Sequence, residues 1–265
     1  MTPFELKGWA PTVPVIGHVP HSATAIPAEV RSTILLADDD LHVEKMRVTD
    51  HLTDRLYEHV LHVGGAMFVN GLSRLVFDPE RFRKDEDEYM ASRGAGAVYR
   101  KTSLGHDLRD ANFTNNEREQ ILIQYFDPYA LGFENAVSDI LDSFGRCTII
   151  DCHSFPKVAL GWELHPDAQR PSLCFGTDGF HTPRNLVENL TRRAGGDVLV
   201  DIPFKGTYTP IRFWNKDPRV TSIMIEVRRD TYCDEETGKA NKGFDAVQRL
   251  LASLIEDISE AAATP

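Results

Sequence analysis

Read from the N-terminus, apolar positions first gather at Val13–Val19, an extended run interrupted by Pro14 that predicts a strand leading into Pro20, His21 and Ser22. From Asp50, the apolar residues Leu52, Leu56 and Val60, with Leu61 and Val63 beside them, keep a helical spacing until Gly64 and Gly65 end it. Two short runs, Ala66–Val69 and Arg74–Phe77, predict strands. The periodicity then lapses. Between Asp78 and Asn112 the chain is charged, and a stretch of this length reads either as a lid over a site or as a solvated loop. Thr114 and Glu117 make the pattern of a capping box, opening a helix that Pro128 breaks or kinks before a second helical stretch reaches Phe144. Strands follow at Cys147–Ile150 and Ser172–Phe175, then a helix over Pro183–Ala194, strands at Val198–Ile202 and Thr221–Val227, and a closing helix from Asn241 onward.

Strands alternating with helices, several apolar enough for burial on both faces, predict a three-layer α/β domain around a mixed, mainly parallel central sheet. No internal repeat or Pro/Ser-rich linker divides the chain, so residues 1–265 are expected to form a single catalytic domain. At 265 residues and 42% hydrophobic, the chain can bury a sizeable core. Twenty-nine basic residues face 40 acidic ones, and the net charge of −11 opposes a phosphate backbone; nucleic acid is excluded as a partner. No run approaches the roughly 20 apolar residues that span a bilayer, and Met1–Gly8 lacks a basic segment followed by an apolar one; the expectation is a cytoplasmic protein with no membrane partner. The cysteines are scattered without a CxxC pair, against a disulfide framework or a zinc ribbon. Cys147 and Cys174 sit in apolar runs, and strand alternation points Cys152 away from His153, so all three read as packing residues.

Ligands of open α/β sheets collect beyond the carboxyl ends of the strands. Three predicted strand ends supply suitable groups: His21 in "HVPHSA", His153 in "IDCHS" and Glu226 in "MIEVRR", with Asp50 of "TDHLTDRLY" adding a carboxylate. Two imidazoles and a carboxylate are a common ligand set for catalytic zinc, which makes His21, Asp50 and His153 candidate metal ligands. Glu226 is then a candidate to move the proton of the attacking water, and Asp151, on the strand face of His153, a candidate to orient an imidazole. Plainer readings stand beside these. Asp50 also fits a helix N-cap, and Glu226 can pair with Arg228 or Arg229. Asp38–Asp40 with His42 fall on no predicted element and read as a turn. A G-x-S-x-G elbow is absent, and the glycine clusters lack the lysine and spacing of a phosphate loop, which sets aside phosphoryl transfer and dinucleotide binding.

Six landmarks in one order, "PHSA", "TDHLTDRLY", "SRLVFDPER", "IDCHS", "PFKGTY" and "IEVRRDTY", resemble the N-formylglutamate amidohydrolases, a family similar in fold and metal site to zinc carboxypeptidases and aspartoacylases. The resemblance runs from about Val13 to about Glu235 and implies a zinc-peptidase-like (phosphorylase/hydrolase-like) fold. It further implies one Zn²⁺, replaceable by other transition metals, held by His21, Asp50 and His153, with Glu226 as general base and acid. Arg81 would bind a substrate carboxylate and act in catalysis, with Arg74 and Lys205 as further substrate-binding candidates; the plainer reading of Arg81 is a partner for an acid of the Glu80–Glu88 run. The implied reaction is hydrolysis of N-formyl-L-glutamate to L-glutamate and formate, a step of histidine degradation. The partner would be a small N-acyl acidic amino acid, and the protein a monomer or small homo-oligomer. The chain departs from the family pattern where D-L-N-R becomes Asp78, Pro79, Glu80, Arg81 and where K-G-G becomes Lys205, Gly206, Thr207, and Ala23 stands for a frequent glycine. These departures leave room for another N-acyl amino acid or peptide amide; a catalytically silent binding domain is a further alternative, ranked last because His21, Asp50, His153 and Glu226 are all present.

Overall fold

The wholly buried run Cys147–Phe155 is the middle strand of a seven-stranded sheet in the computed structural model, which describes residues 2–263. The strands are β1 (Phe4–Lys7), β2 (Val15–Val19), β3 (Ala66–Asn70), β4 (Cys147–Phe155), β5 (Leu173–Gly176), β6 (Val198–Val200) and β7 (Val220–Arg228). The helices are α1 (Ala28–Arg31), α2 (Asp38–Val48), α3 (Thr53–Leu56), α4 (His59–His62), α5 (Asn115–Ile121), α6 (Asp127–Phe144), α7 (Arg184–Ala194) and α8 (Phe244–Ala263). Across the sheet the order is β1-β3-β2-β4-β7-β5-β6. Strands β3, β2, β4 and β7 run parallel, as do β5 and β6, while β1 with β3 and β5 with β7 are antiparallel. This is the mixed, mainly parallel sheet that the alternating pattern predicts.

Successive side chains of a strand point to opposite faces, and β4 sorts its residues accordingly. Ile150 and Cys152 join a core shared with Leu56 of α3, Val60 of α4, Leu190 of α7 and Leu254 of α8. Cys147 and Ile149 join the opposite core, built on Phe133, Val137 and Ile140 of α6. A three-layer sandwich results. Each fully buried Leu or Ile on these faces contributes about 1.5–3 kcal/mol, so the two cores clamp β4 from both sides. Among the described residues no helix is long and apolar enough to cross a membrane.

Several local expectations change. The helix predicted from Asp50 starts only at Thr53, because Leu52 adopts a left-handed φ of 63°, and it is interrupted at Tyr57 and Glu58 between α3 and α4. Asp50 consequently caps no helix: its carbonyl accepts from the Thr53 hydroxyl, and its carboxylate turns inward. Arg74–Phe77 forms turns rather than a strand, since the Leu75 amide bonds the Ser73 hydroxyl and the Arg109 guanidinium takes the Leu75 carbonyl. Asp38–Asp40 open α2, where acids complement the helix dipole. This helix lacks an apolar stripe because a buried acid, Glu44, anchors it by accepting from the Ser103 backbone amide at 2.5 Å and hydroxyl at 2.8 Å. The segment between Asp78 and Asn112 packs on a third small core that includes Leu41, Leu75, Ala95 and Tyr99. Thr114 and Glu117 do form the capping box. Pro128 does not break the helix that follows; a π-helical turn at Leu122–Phe126 widens the ladder just where its ring and missing N–H intrude.

Candidate metal and active site

Strands β2, β4 and β7 lie side by side and parallel, so their carboxyl ends meet at one edge of the sheet. On the face toward α6 these ends present His18 opposite Asp151, and His153 opposite Glu226. His21 follows β2, and Asp50 arrives from the turn after α2, its amide donating to the His21 carbonyl at 3.0 Å. Tyr57 donates its hydroxyl to the Ile225 carbonyl at 2.7 Å and lies 3.2 Å from that of His153, which ties β4 to β7 beneath the site.

Both imidazoles are turned the same way by acids. His21 Nε2 is 2.9 Å from Asp78 Oδ1; His153 Nε2 is 3.0 Å from Glu80 Oε1 and 3.2 Å from Asp151 Oδ1. A ring that donates Nε2–H to a carboxylate keeps its lone pair on Nδ1. Those two Nδ1 atoms face Asp50 Oδ2, at 3.2 Å from His153 and 3.7 Å from His21. The other Asp50 oxygen lies 3.4 Å from Arg229 Nη2. His21 Nδ1 is buried with no hydrogen-bond partner.

The ligand atoms of His21, Asp50 and His153 lie within 4.8 Å of one another, so this group can hold a metal ion. Two other groupings meet the same distance, His18 with Glu80 and Asp151, and His21 with Asp78 and Glu80. The three groups differ in their hydrogen bonds. Both nitrogens of His18 are occupied, Nδ1 by Asp151 and Nε2 by the Tyr129 hydroxyl, each at 2.9 Å, and His21 Nε2 is taken by Asp78. The first set alone leaves a buried lone pair without a partner.

Electrostatics agree with a cation-seeking site. Burial works to raise the Asp50 carboxyl, yet the hydrogen bonds and charges of His153 and His21 hold it well below the ordinary range. Burial likewise opposes charge on His153, but Glu80 and Asp151 push its pKa well up. Glu226 goes the other way: burial, with Asp50 and Glu80 nearby, lifts it to about 8, against the lowering pull of His153 and Arg229. Its Oε2 is buried without a hydrogen-bond partner. Pairing with Arg228 or Arg229 is not what the fold uses, since Arg228 bonds Asp230 and Arg229 turns to Asp50, Ser154 and the Arg47 carbonyl.

A cavity of about 540 Å³ opens here, with His21, Asp50, Arg74, Arg81, His153, Lys205 and Glu226 in its walls. Arg74 is committed to Asp78 at 2.8 Å and to the Tyr99 hydroxyl at 3.1 Å. Arg81 donates Nε to the Ala95 carbonyl at 3.3 Å and pairs through it with Asp78 at 3.8 Å, while among the described residues its two terminal nitrogens have no hydrogen-bond partner. Lys205 is exposed. His18, Asp78, Glu80 and Arg229 also belong to this constellation, although sequence reasoning gave none of them a place in it. A histidine inside the apolar run of β2 was the available signal for His18; nothing local marks the buried Arg229.

The fold and the chain have known counterparts. The chain is similar to the crystal structure of an N-formylglutamate amidohydrolase from Ralstonia eutropha JMP134, with TM-score 0.81 and 24% identity over 99% of each chain. It is similar as well to a gene product of Agrobacterium tumefaciens, with TM-score 0.71 and 17% identity over 98% of this chain and 96% of that one. Among curated proteins none matches it. The profile of the N-formylglutamate amidohydrolases, hydrolases that act on a C–N amide bond, matches residues 13–233, and the chain therefore belongs to that family.

Proposed function

We propose that this chain hydrolyses the amide of an N-acyl acidic amino acid, N-formyl-L-glutamate and water giving L-glutamate and formate. The observation that carries this reading is the convergence of His21 Nδ1, Asp50 Oδ2 and His153 Nδ1 in a cavity that also holds the unpartnered Glu226 carboxyl. His21, Asp50 and His153 would hold zinc, which would supply Lewis acidity for the attacking water and the amide oxygen. Asp78 fixes the His21 ring, while Glu80 and Asp151 fix that of His153. Glu226 takes a proton from the attacking water and returns it to the departing nitrogen. The free fork of Arg81 receives a substrate carboxylate through two parallel hydrogen bonds. Arg74, held by Asp78, and Lys205 add positive charge to the same cavity.

Formate release measured on purified protein before and after complete chelation tests the reading: activity should vanish with the metal and return when zinc is restored. Turnover that survives full metal removal defeats it. Truncating Arg81 to Ala should raise KM for N-formylglutamate by about 10–100-fold, the loss of a charge-assisted pair worth roughly 1.5–3 kcal/mol. An unchanged KM in a steady-state assay assigns the carboxylate elsewhere. Glu80 favours a second reading, an N-acyl amino acid or peptide amide other than N-formylglutamate. It places an acid 3.0 Å from His153, where a second substrate carboxylate would meet like charge.

A further inference from the structure

A second cavity, of about 420 Å³, shares Glu80, Arg81, Lys205 and Met224 with the first, so the two are chambers joined at one wall. Its lining is of a different kind. Phe126 and Tyr208 form its inner surface, and Phe82, Ile211 and Trp214 its outer part. The last three are 37%, 54% and 38% exposed, and the rings of Phe82 and Trp214 meet edge-on at 5.8 Å. Apolar side chains left in water around a concavity mark a place where a ligand covers them.

The charged groups that reach this chamber are largely spoken for. Arg83 is held by Glu119 and Asp127, Asp178 accepts the amides of Phe180 and His181, and Asp151 accepts from the Tyr208 amide and bonds His18. Glu134 lies 3.7 Å from Arg212. What remains for a ligand is an aromatic surface reached past Lys205 and the terminal nitrogens of Arg81 in the shared wall. A substrate whose carboxylate sits on Arg81 and Lys205, and whose amide reaches His153 and Glu226, would direct its remaining substituent away from the metal ligands.

We infer that the second chamber is a side-chain subsite for apolar and aromatic N-acyl amino acids, which gives the enzyme substrates beyond acidic ones. The inference rests on the amidohydrolase reading above and names its substrate class. For N-formyl-L-phenylalanine, water adds across the C–N bond, its hydroxyl passing to the formyl carbon and its proton to the nitrogen, to give phenylalanine and formate.

Two readouts separate this subsite from the hydrolase itself. The first is kcat/KM for the N-formyl derivatives of alanine, leucine, phenylalanine and glutamate. The second is equilibrium binding of the same compounds by calorimetry, with and without chelator. N-formylphenylalanine should exceed N-formylalanine at least tenfold in kcat/KM or in affinity, and W214A should reduce that ratio at least tenfold. I211D, at a more exposed position of the same wall, should reduce it too. Equal treatment of the phenylalanine and alanine derivatives by the wild-type protein, or a preference that both variants leave intact, overturns the subsite. Binding preference without turnover of any compound upholds the subsite and defeats the hydrolase.

Discussion

Replacing Glu226 by Gln is expected to lower kcat for formamide hydrolysis by about 10²–10⁴-fold, the range of a positioned general acid–base. Zinc content should stay at the wild-type level, because the substitution leaves His21, Asp50 and His153 in place. Glutamine keeps the shape of the side chain but can neither accept the water proton nor deliver it to nitrogen. KM should change little, since Arg81 rather than Glu226 is assigned the substrate carboxylate. Metal analysis beside steady-state kinetics checks both halves, and near-normal turnover in a zinc-loaded variant would remove Glu226 from the mechanism.

The same variant carries a signature independent of catalysis. Burial first, and then the neighbouring Asp50 and Glu80 charges, lift Glu226 from 4.5 to about 8 in the protein without metal. A carboxyl raised on folding holds its proton in the folded chain at pH values where the unfolded chain has already lost it. Stability then falls as pH rises from about 4.5 to about 8, and the loss persists above that window. The Glu226→Gln substitution removes this dependence. Chelated E226Q should match the chelated wild-type protein near pH 4.5 and become progressively more stable than it up to about pH 8.5, by denaturant midpoint. Parallel pH profiles would show that Glu226 is not the strained acid.

The legible parts of this molecule are those where one face of an element is apolar. Strand β4 announced itself because burial on both faces demands an unbroken apolar run, and its alternation correctly separated Cys152 from His153. Helix α2 did not, because it is pinned by Glu44 rather than by a stripe of leucines. The turn at Leu52 was illegible for a related reason: helical spacing at Leu52, Leu56 and Val60 describes which side chains reach the core, not whether the backbone between them is continuous. In the site, strand ends exposed His21, His153 and Glu226, whereas Asp78 and Glu80 looked like part of a solvated acidic run. Only the fold brings those two acids to within 2.9 Å and 3.0 Å of the imidazoles.

Asp50 to Asn should weaken zinc binding on the order of 10³-fold, more than the 10–100-fold expected for Asp78 to Asn, which acts on the proposed site through the His21 imidazole that it orients. The difference follows from what each carboxylate faces. Asp50 Oδ2 is hydrogen-bonded to His153 Nδ1 at 3.2 Å and stands 3.7 Å from the unpartnered His21 Nδ1, and Asp50 also receives the Ser154 amide at 3.2 Å and the Arg229 guanidinium at 3.4 Å. An asparagine amide loses the charge and must aim its NH₂ at one of these donors. Zinc at one hundred times its Kd stabilises the wild-type fold by about 2.7 kcal/mol, whereas a thousandfold weaker site gains less than about 0.1 kcal/mol at the same concentration. Thermal unfolding with and without zinc reads this directly. A cost in the chelated protein is expected as well, about 3–5 kcal/mol, because Arg229 is left buried without its anion. The zinc-dependent increment separates the two effects: if D50N gains as much from zinc as the wild-type protein does, the carboxylate belongs to Arg229 alone and the proposed ligand set fails.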